Sequence, residues 1–384
     1  VLQIVQIGAG LVGQVIVEDL LQDFEVTVVD PNPKALEKLK EKFPQITTEV
    51  ASGTDVAALE KILEKADVAT AGVPGQFGYE MMKAVIETGT SLADISFMAE
   101  DFDLLHDLAV KNNVTVIPDI GVAPGMSNFL MGRGAALMDE VDEAFTYVGG
   151  IPDKPVPPFN YQVTWSPKDC IEEFTRPARY IREGKLVVDE ATAGLHLKEF
   201  PVGTLEAFYT DGLRSLLKNI PGRNVGEMTM RWPGHVEQMR LLRSMGLFDA
   251  APRKLGGAEV SPLEVAADLL FPMWEMKPEE GDRDLTVMLV EVEGFRGKDR
   301  VRYSWYLEDR FDETTWNTSM SRCTGCTCAI FARALAKGLI PQKGVLAPEK
   351  LAASDPLFEF VMQEQKKRRI IYRETFECTK DARE

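Results

Sequence analysis

The sequence predicts an α/β chain: a doubly wound parallel sheet, then a second α+β domain on a mixed or antiparallel sheet. Three observations carry that prediction. Short β-branched runs alternate with amphipathic helical stretches from residue 2 to residue 119. A glycine-rich turn joins the first run to the first helical stretch. After about residue 140 the rhythm changes, and longer alternating runs replace the strand–helix pairs.

"LQIVQI" is a short apolar strand, and "GAGLVGQVIVEDLLQD" follows it with apolar residues at helical spacing. "EVTVVD" is the second strand and "PKALEKLKEKF" a helix with proline near its start. "ITTEVA" is a third strand, and "DVAALEKILEKA" a helix capped by Asp55. "DVATAGVP", "SLADIS" and "VTVIPD" complete six strands, separated by the helices "GYEMMKAVIETG" and "EDFDLLHDLAVKNN". Short connections between alternating strands and helices require parallel pairing with right-handed crossovers.

In the second half, "EAFTYVGGIP", "FNYQVTW", "ARYIREGKLVV" and "HLKEFP" read as strands, with a hairpin turn at Glu183-Gly184. "TDGLRSLLKN", "GHVEQMRLLRSMG" and "SPLEVAADLLF" read as helices. Two long strands, "DLTVMLVEVEGF" and "DRVRYSWYLED", follow, then a small-residue helix, "SMSRCTGCTCAIFARALAKGL". The expected domains are a nucleotide-binding domain over 1–125, completed by a helix within about 317–340, and a substrate, catalytic and oligomerisation domain over 126–316. Residues 341–384 are expected to pack on the domains as a C-terminal segment.

The net charge of −17, from 43 basic and 60 acidic residues, argues against nucleic acid or an anionic membrane as partner, and is compatible with a cationic small substrate. No run of about 18 apolar residues suggests a membrane span. The first residues carry no signal-peptide pattern, and five cysteines are too few for a disulfide framework, so a cytoplasmic location is expected.

Gly8-Ala9-Gly10-Leu11-Val12-Gly13 is a G-x-G-x-x-G between a strand and a helix, and Asp30 ends the next strand, 20 residues beyond Gly10. That context makes a weak motif a dinucleotide fingerprint and the first domain a Rossmann domain. Gly8 permits the turn, Gly10 clears the pyrophosphate, and Gly13 lets helix and strand approach. Asp30 would accept the adenosine ribose hydroxyls and repel a 2′-phosphate, which favours NAD; Lys34 nearby keeps NADP open. Nicotinamide belongs over the C-terminal strand ends, beside Val73 and Pro74, Asp94, and the Asp119 loop. Asp94 is a candidate for both cofactor binding and catalysis, and Asp119 for catalysis; capping or bracing its loop explains Asp119 as well, and for Asp94 a non-catalytic role, ribose or amide binding included, is the plainer reading.

The fingerprint, the D-x-G-x-x-P-G of residues 119–125, "FTRPARYIREGK", "TLEAFYTDGLRSLLK", "RWPGHVEQMRLLRSMGLF" and "TSMSRCTG" together resemble the saccharopine dehydrogenase-like family, and within it the L-lysine 6-dehydrogenase subgroup. The resemblance covers nearly the whole chain. It implies an NAD(P)-linked oxidoreductase acting at a C–N bond. For the subgroup it implies oxidative deamination of lysine at the ε-carbon, giving a semialdehyde that cyclises to a piperideine carboxylate. Saccharopine reductases resemble E-x-G-L-D-P-G in the 119–125 loop, where this chain has Ala123 in place of the second carboxylate. A homo-oligomer, a dimer, is expected by family analogy.

Such chemistry needs a neutral amine, a proton acceptor and water addition to an iminium. Asp119 is the first candidate base. His235, in "RWPGH", is the second, although capping of the helix that follows is the plainer reading. His106 and His196 have no evident role. For the amino-acid end of the substrate, Arg214, Arg176 and Arg231 could hold the carboxylate. Asp211 and Thr210 could meet the ammonium, and Gly149-Gly150 could open space. A local ion pair between Asp211 and Arg214 explains that pattern as well. Cys323, Cys326 and Cys328 lack the paired spacing of a zinc site, so no metal is expected and they read as small buried packing residues. A secondary-amine dehydrogenase, for saccharopine or a carboxyalkyl polyamine, and a non-catalytic NAD-binding sensor remain open.

Overall fold

The computed structural model describes residues 2–164 and 167–383. The chain forms two compact units, Val1–Ala136 with Ser321–Ile371, and Leu137–Met320 with Tyr372–Glu384.

The first unit is built on β1 (Gln3–Ile7), β2 (Glu25–Asp30), β3 (Thr47–Val50), β4 (Val68–Ala71), β5 (Leu92–Asp94) and β6 (Thr115–Ile117). Its helices include α1 (Leu11–Leu20), α2 (Pro33–Lys42), α3 (Val56–Leu63), α4 (Gly75–Glu87), α5 (His106–Lys111) and α6 (Met126–Ala136). The strand order is β6-β5-β4-β1-β2-β3, with Gly344–Val345 added outside β6, and every pairing is parallel. The order reverses between β1 and β4, which is where an open α/β sheet binds ligands. All four residues of β4 are buried and those of edge strand β3 are mostly exposed, as expected for a sheet covered on both faces. Val5, Val29, Ala69, Met81, Val85 and Val116 belong to one apolar cluster of this unit. The expected cap forms, with Asp55 accepting from Ala58 N at 3.1 Å; Asn32, not singled out in the sequence, caps α2 by accepting from Lys34 N.

The first compact unit continues past the expected boundary at residue 125 to Ala136. Helix α6 is buried along most of its length, and a Cβ at Gly132 would collide with the backbone of Glu349, so it packs within the first unit. The C-terminal segment 341–384 is shared between the units: residues 341–371 belong to the first and 372–384 to the second. Residues 341–371 supply the first unit's outermost strand and the helix Asp355–Lys367.

The second unit holds β7 (Glu140–Pro152), β8 (Ala178–Arg182), β9 (Lys185–Asp189), β10 (His196–Phe200), β11 (Gly203–Tyr209) and β12 (Asn224–Arg231), with the long strands Asp284–Arg296 and Asp299–Arg310. The sheet runs β10-β11-β12-β7, then 284–296, 299–310 and finally Tyr372–Thr379; β8 and β9 branch from β12. Only β7 and β12 pair in parallel, so the sheet is mixed. The hairpin turn falls at Glu183-Gly184, both at positive φ, with Arg182 opposite Lys185. Helices α7 (Pro167–Glu172), α8 (Leu216–Asn219), α9 (His235–Ser244) and α10 (Pro262–Trp274) accompany this sheet. Tyr161, Phe174, Phe208, Val236 and Trp274 share its apolar core.

Two expectations change here, and three strands join that the sequence reading leaves unassigned. "TLEAFY" and "NVGEMTMR" are strands β11 and β12, and the helix expected over 210–219 shrinks to α8. "FNYQVTW" contributes only a bridge from Val163 to Glu275, and its last residue, Trp165, lies outside the described residues. The C-terminal run of alternating residues is a strand beside 299–310.

Candidate functional site

The fingerprint turn is fixed by sterics and by a buried amide. Gly8 has φ +101°, and a Cβ there would stand 2.5 Å from the Gly72 carbonyl oxygen, so the β1–α1 and β4–α4 loops meet backbone to backbone. A Cβ at Gly13 would strike the Gly8 carbonyl. Gly10 differs: no atom lies within 4 Å of where its Cβ would be. That open cradle adjoins the start of α1, which has no side-chain cap and no acid in its first turn. Leu11 there is 65% exposed, and Val12 is half-buried. Unclaimed N–H groups, a favourable dipole and free space fit the pyrophosphate of a dinucleotide. Behind the turn, buried Gln6 donates to the carbonyls of Ile7 and Gly8, both at 2.9 Å, and accepts from Thr70 Oγ1 at 2.7 Å. The sequence analysis does not single out Gln6; its place between the apolar Val5 and Ile7, just before the glycines, is the signal.

Asp30 stands at the C-terminal end of β2. Its carboxylate accepts from Ala9 N and from Asn32 N, each at 2.8 Å. The same carboxylate therefore touches the fingerprint and starts the next loop, with lone pairs remaining for ribose hydroxyls.

Asp94 and Val73 are joined by one relay through Ser96. Val73 N donates to Ser96 Oγ at 3.1 Å, and Ser96 Oγ donates to Asp94 Oδ1 at 2.7 Å. Asp94 also accepts from Ser96 N, and Pro74 is the N-cap of α4. Asp94 is fully buried beside Cys328, whose thiol donates to Ala93 O at 3.5 Å. Burial, then the Asp94 charge, pushes that thiol well above its ordinary range, so Cys328 is an unreactive neutral group. Cys323 and Cys326 are buried too. Among the described residues, no group of three or more His, Cys, Asp or Glu could hold a metal.

Asp119 is only 1% exposed and has φ +51°, an uncommon backbone for a residue with a side chain. The segment after it closes on itself: Gly121 N donates to Pro124 O at 3.1 Å, and Met126 N to Gly121 O at 2.9 Å. Ile120 N donates to Asp94 O at 2.9 Å, so the two acidic loops are tied together in the first unit. The kink after Asp119 leads into α6 of the same unit, not across to the second.

In the second unit, Thr210 Oγ1 and Thr229 Oγ1 lie 3.0 Å apart and buried. Arg214 follows in the loop at φ +53°. Asp211 is held by Arg179 through two hydrogen bonds of 2.6 and 3.0 Å, so the ammonium role expected for it meets an occupied carboxylate. Arg176 is paired with Glu172 one helical turn back, a local ion pair rather than an unmet cation. Gly149 and Gly150 are tight packing positions: a Cβ would meet Met230 O at 2.8 Å in one case and Met320 Cε in the other. Glu227, which the sequence did not single out, is buried, and its carboxyl lies where a side chain at residue 212 would be, below the Thr210–Arg214 loop.

His235 is withdrawn from the candidate bases. It is 0% exposed, its Nδ1 lies 2.9 Å from Phe159 O, and its ring packs 4.6 Å from that of Tyr161 and 6.3 Å from that of Trp274. Burial first, and the Arg231 charge second, lower its pKa to about 3, far below the range of a general base at neutral pH. Arg231 is itself buried and paired with Glu173, so it too serves the core. Glu206 takes the capping task instead, accepting from Gly234 N at 3.0 Å and Val236 N at 2.6 Å at the start of α9.

Comparison with known proteins follows both units. The Saccharopine dehydrogenase NADP binding domain family matches residues 4–117, and the Saccharopine dehydrogenase C-terminal domain family matches residues 121–371. The saccharopine dehydrogenase [NADP(+), L-glutamate-forming] of Schizosaccharomyces pombe is 23% identical across 94% of this chain and 97% of its own. The enzyme of that name from Saccharomyces cerevisiae is 24% identical across 92% and 95%. The solved apo saccharopine dehydrogenase (L-Glu forming) of Saccharomyces cerevisiae shares the fold, with TM-score 0.81 at 19% identity over 98% of this chain and 100% of that one. Among the described residues no helix is long and apolar enough to cross a membrane. With the fingerprint in the first unit and a family match through both, the chain belongs to the saccharopine dehydrogenase family.

Proposed function

We propose that this chain is an NAD-dependent amino acid dehydrogenase that deaminates L-lysine at its ε-carbon. The products would be the 6-semialdehyde, ammonium, NADH and a proton, with water supplying the aldehyde oxygen. The observation that carries the NAD part is the Asp30 carboxylate at the end of β2, engaged by Ala9 N and Asn32 N. A 2′-phosphate in its place would face a fixed negative charge. The lysine part rests on the loop residue Ala123, which stands where saccharopine reductases resemble a second carboxylate, and on the cationic substrate that an acidic chain suits.

When bound, the nicotinamide supplies a hydride acceptor. The chain's own residues then have three tasks. The α1 terminus and Gly10 receive the pyrophosphate, and Asp30 selects the ribose. The Asp94–Ser96–Val73 relay holds the β4–α4 loop in shape. Asp119 takes a proton from the substrate ammonium, because only a neutral amine has the lone pair that hydride loss requires, and then assists water addition. Arg214 is the proposed carboxylate contact, and Thr210 lines that end. A dimer and a cytoplasmic location belong to the same reading.

A second reading is favoured by the names of the relatives: oxidation of a secondary amine such as saccharopine with NADP. Steady-state rates with lysine and with saccharopine, each with NAD and with NADP, separate the two. The proposal predicts turnover of lysine with NAD. Asp30→Ser should then move the NADP-to-NAD preference by about tenfold or more, for a change of roughly 1.4 kcal/mol. Turnover of saccharopine but not lysine would replace this reading with the second.

A further inference from the structure

We propose that a pocket on the sheet of the second unit is a separate binding site for a free amino acid in its zwitterionic form. The pocket holds about 500 Å³, a volume suited to a small ligand. Its floor is aromatic: Phe145 and Tyr147 of β7 lie nearly parallel, 6.4 Å apart, and Tyr209 of β11 stacks on Tyr180 at 4.0 Å. Gly226 of β12 allows this. A Cβ there would come within 2.7 Å of the Phe145 ring and 2.9 Å of the Tyr209 ring.

The floor already carries an ammonium. Lys198 Nζ sits 4.3 Å from the Tyr147 ring centroid and 3.8 Å from Glu291, so aromatic face and carboxylate together form a cation site in this fold. The Tyr147 hydroxyl has no hydrogen-bond partner among the described residues. Burial, then Glu291, pushes its pKa up to about 12, which keeps it a proton donor. Two charges at the pocket stand outside any close ion pair among the described residues. Arg182 rests on the Tyr180 ring at 5.1 Å with no carboxylate partner among the described residues. Glu143 accepts from the amide of Asn224 at 3.5 Å and otherwise feels the Arg223 guanidinium, which is hydrogen-bonded to Glu183.

The lining has three carboxylates (Glu143, Glu291, Glu293) and three fixed cations (Arg182, Lys198, Arg302), so neither a simple anion nor a simple cation is selected. A simple amine would leave Arg182 unanswered, and a simple acid would leave Glu143 unanswered. One molecule bearing a carboxylate and an ammonium on a short carbon frame answers both, with its frame on the aromatic floor.

The site does not rest on the lysine reading above, and the test keeps the two apart. L-lysine, L-glutamate and L-alanine are titrated calorimetrically into the wild type and into Glu143→Gln and Arg182→Gln, both exposed positions where folding is expected to survive. At least one amino acid should bind the wild type and lose about tenfold or more in affinity in each variant, while butylamine and acetate fail to compete. Dinucleotide affinity and sedimentation mass should stay unchanged. Equal binding by wild type and variants, as a substrate held elsewhere would give, overturns the proposal. So does a variant that changes the mass but not amino acid binding, because the face would then belong to a second copy of the chain.

Discussion

Asp119 and His235 show how two residues of similar chemical promise are separated by their surroundings. Both are buried, yet His235 is enclosed by aromatic rings, and Asp119 lies in the loop just past the C-terminal end of β6, the end of the sheet at which the fingerprint turn also lies. Asp119→Asn should lower kcat by about 10²–10⁴, the usual range for a lost proton-transfer group, with dinucleotide affinity retained. The His235 prediction concerns stability. Its folded pKa of about 3 lies below the unfolded value, so the unfolded chain binds the extra proton. The contribution is therefore complete above the unfolded value near 6.5 and is lost as pH falls toward 3. Between pH 7 and pH 5 the loss is about 2 kcal/mol. Asp284 acts in the opposite sense, since burial raises its carboxyl to about 6 and stability from it falls as pH rises through the range from 3.8. The clean quantity is thus a difference: chemical denaturation of His235→Phe and wild type at both pH values should show the variant about 2 kcal/mol less acid-sensitive. Equal sensitivity would mean that the imidazole is not sealed as described.

The elements that were legible in the sequence are those whose pattern is local. β1 to α1, with its three glycines and Asp30 on the next strand, follows from spacing alone, because the constraints of the turn act over six residues. β11 and β12 were missed because glycine, glutamate and threonine interrupt their apolar runs. Glu206 in β11 is buried for a reason outside its strand, to cap α9. Helix Asp355–Lys367 and strand Tyr372–Thr379 were visible only as an unassigned C-terminal segment, since their partners lie far away in sequence. Long-range ionic contacts are equally invisible there. Arg333 and Arg368 both reach Asp19 of α1, and Arg368 Nε donates to Asp19 Oδ1 at 2.6 Å. The helix that carries the fingerprint is thereby fastened to two C-terminal segments by buried charges. Arg333→Met should destabilise the protein by about 3–5 kcal/mol in urea denaturation, because Asp19 keeps a buried charge with one partner fewer. A loss under 1 kcal/mol would show that Asp19 is satisfied without Arg333.

At the scale of the molecule, the sheet order of the first unit and the mixed sheet of the second follow the expected class, and the family match extends through both. The turn of the fingerprint was legible, because its glycines and Asp30 act on backbone close to them. The substrate half was less so, because Asp211 and Arg176 found partners, Arg179 and Glu172, whose proximity no spacing rule reports. The central claim is therefore chemical: which C–N bond is opened, and to which acceptor the hydride goes. The direct measurement is NADH formation from NAD and lysine labelled with ¹⁵N at the ε position alone, with the released ammonium followed by mass. The account predicts labelled ammonium released in step with NADH. Unlabelled ammonium, or no NADH from lysine under conditions where saccharopine is oxidised, would contradict it.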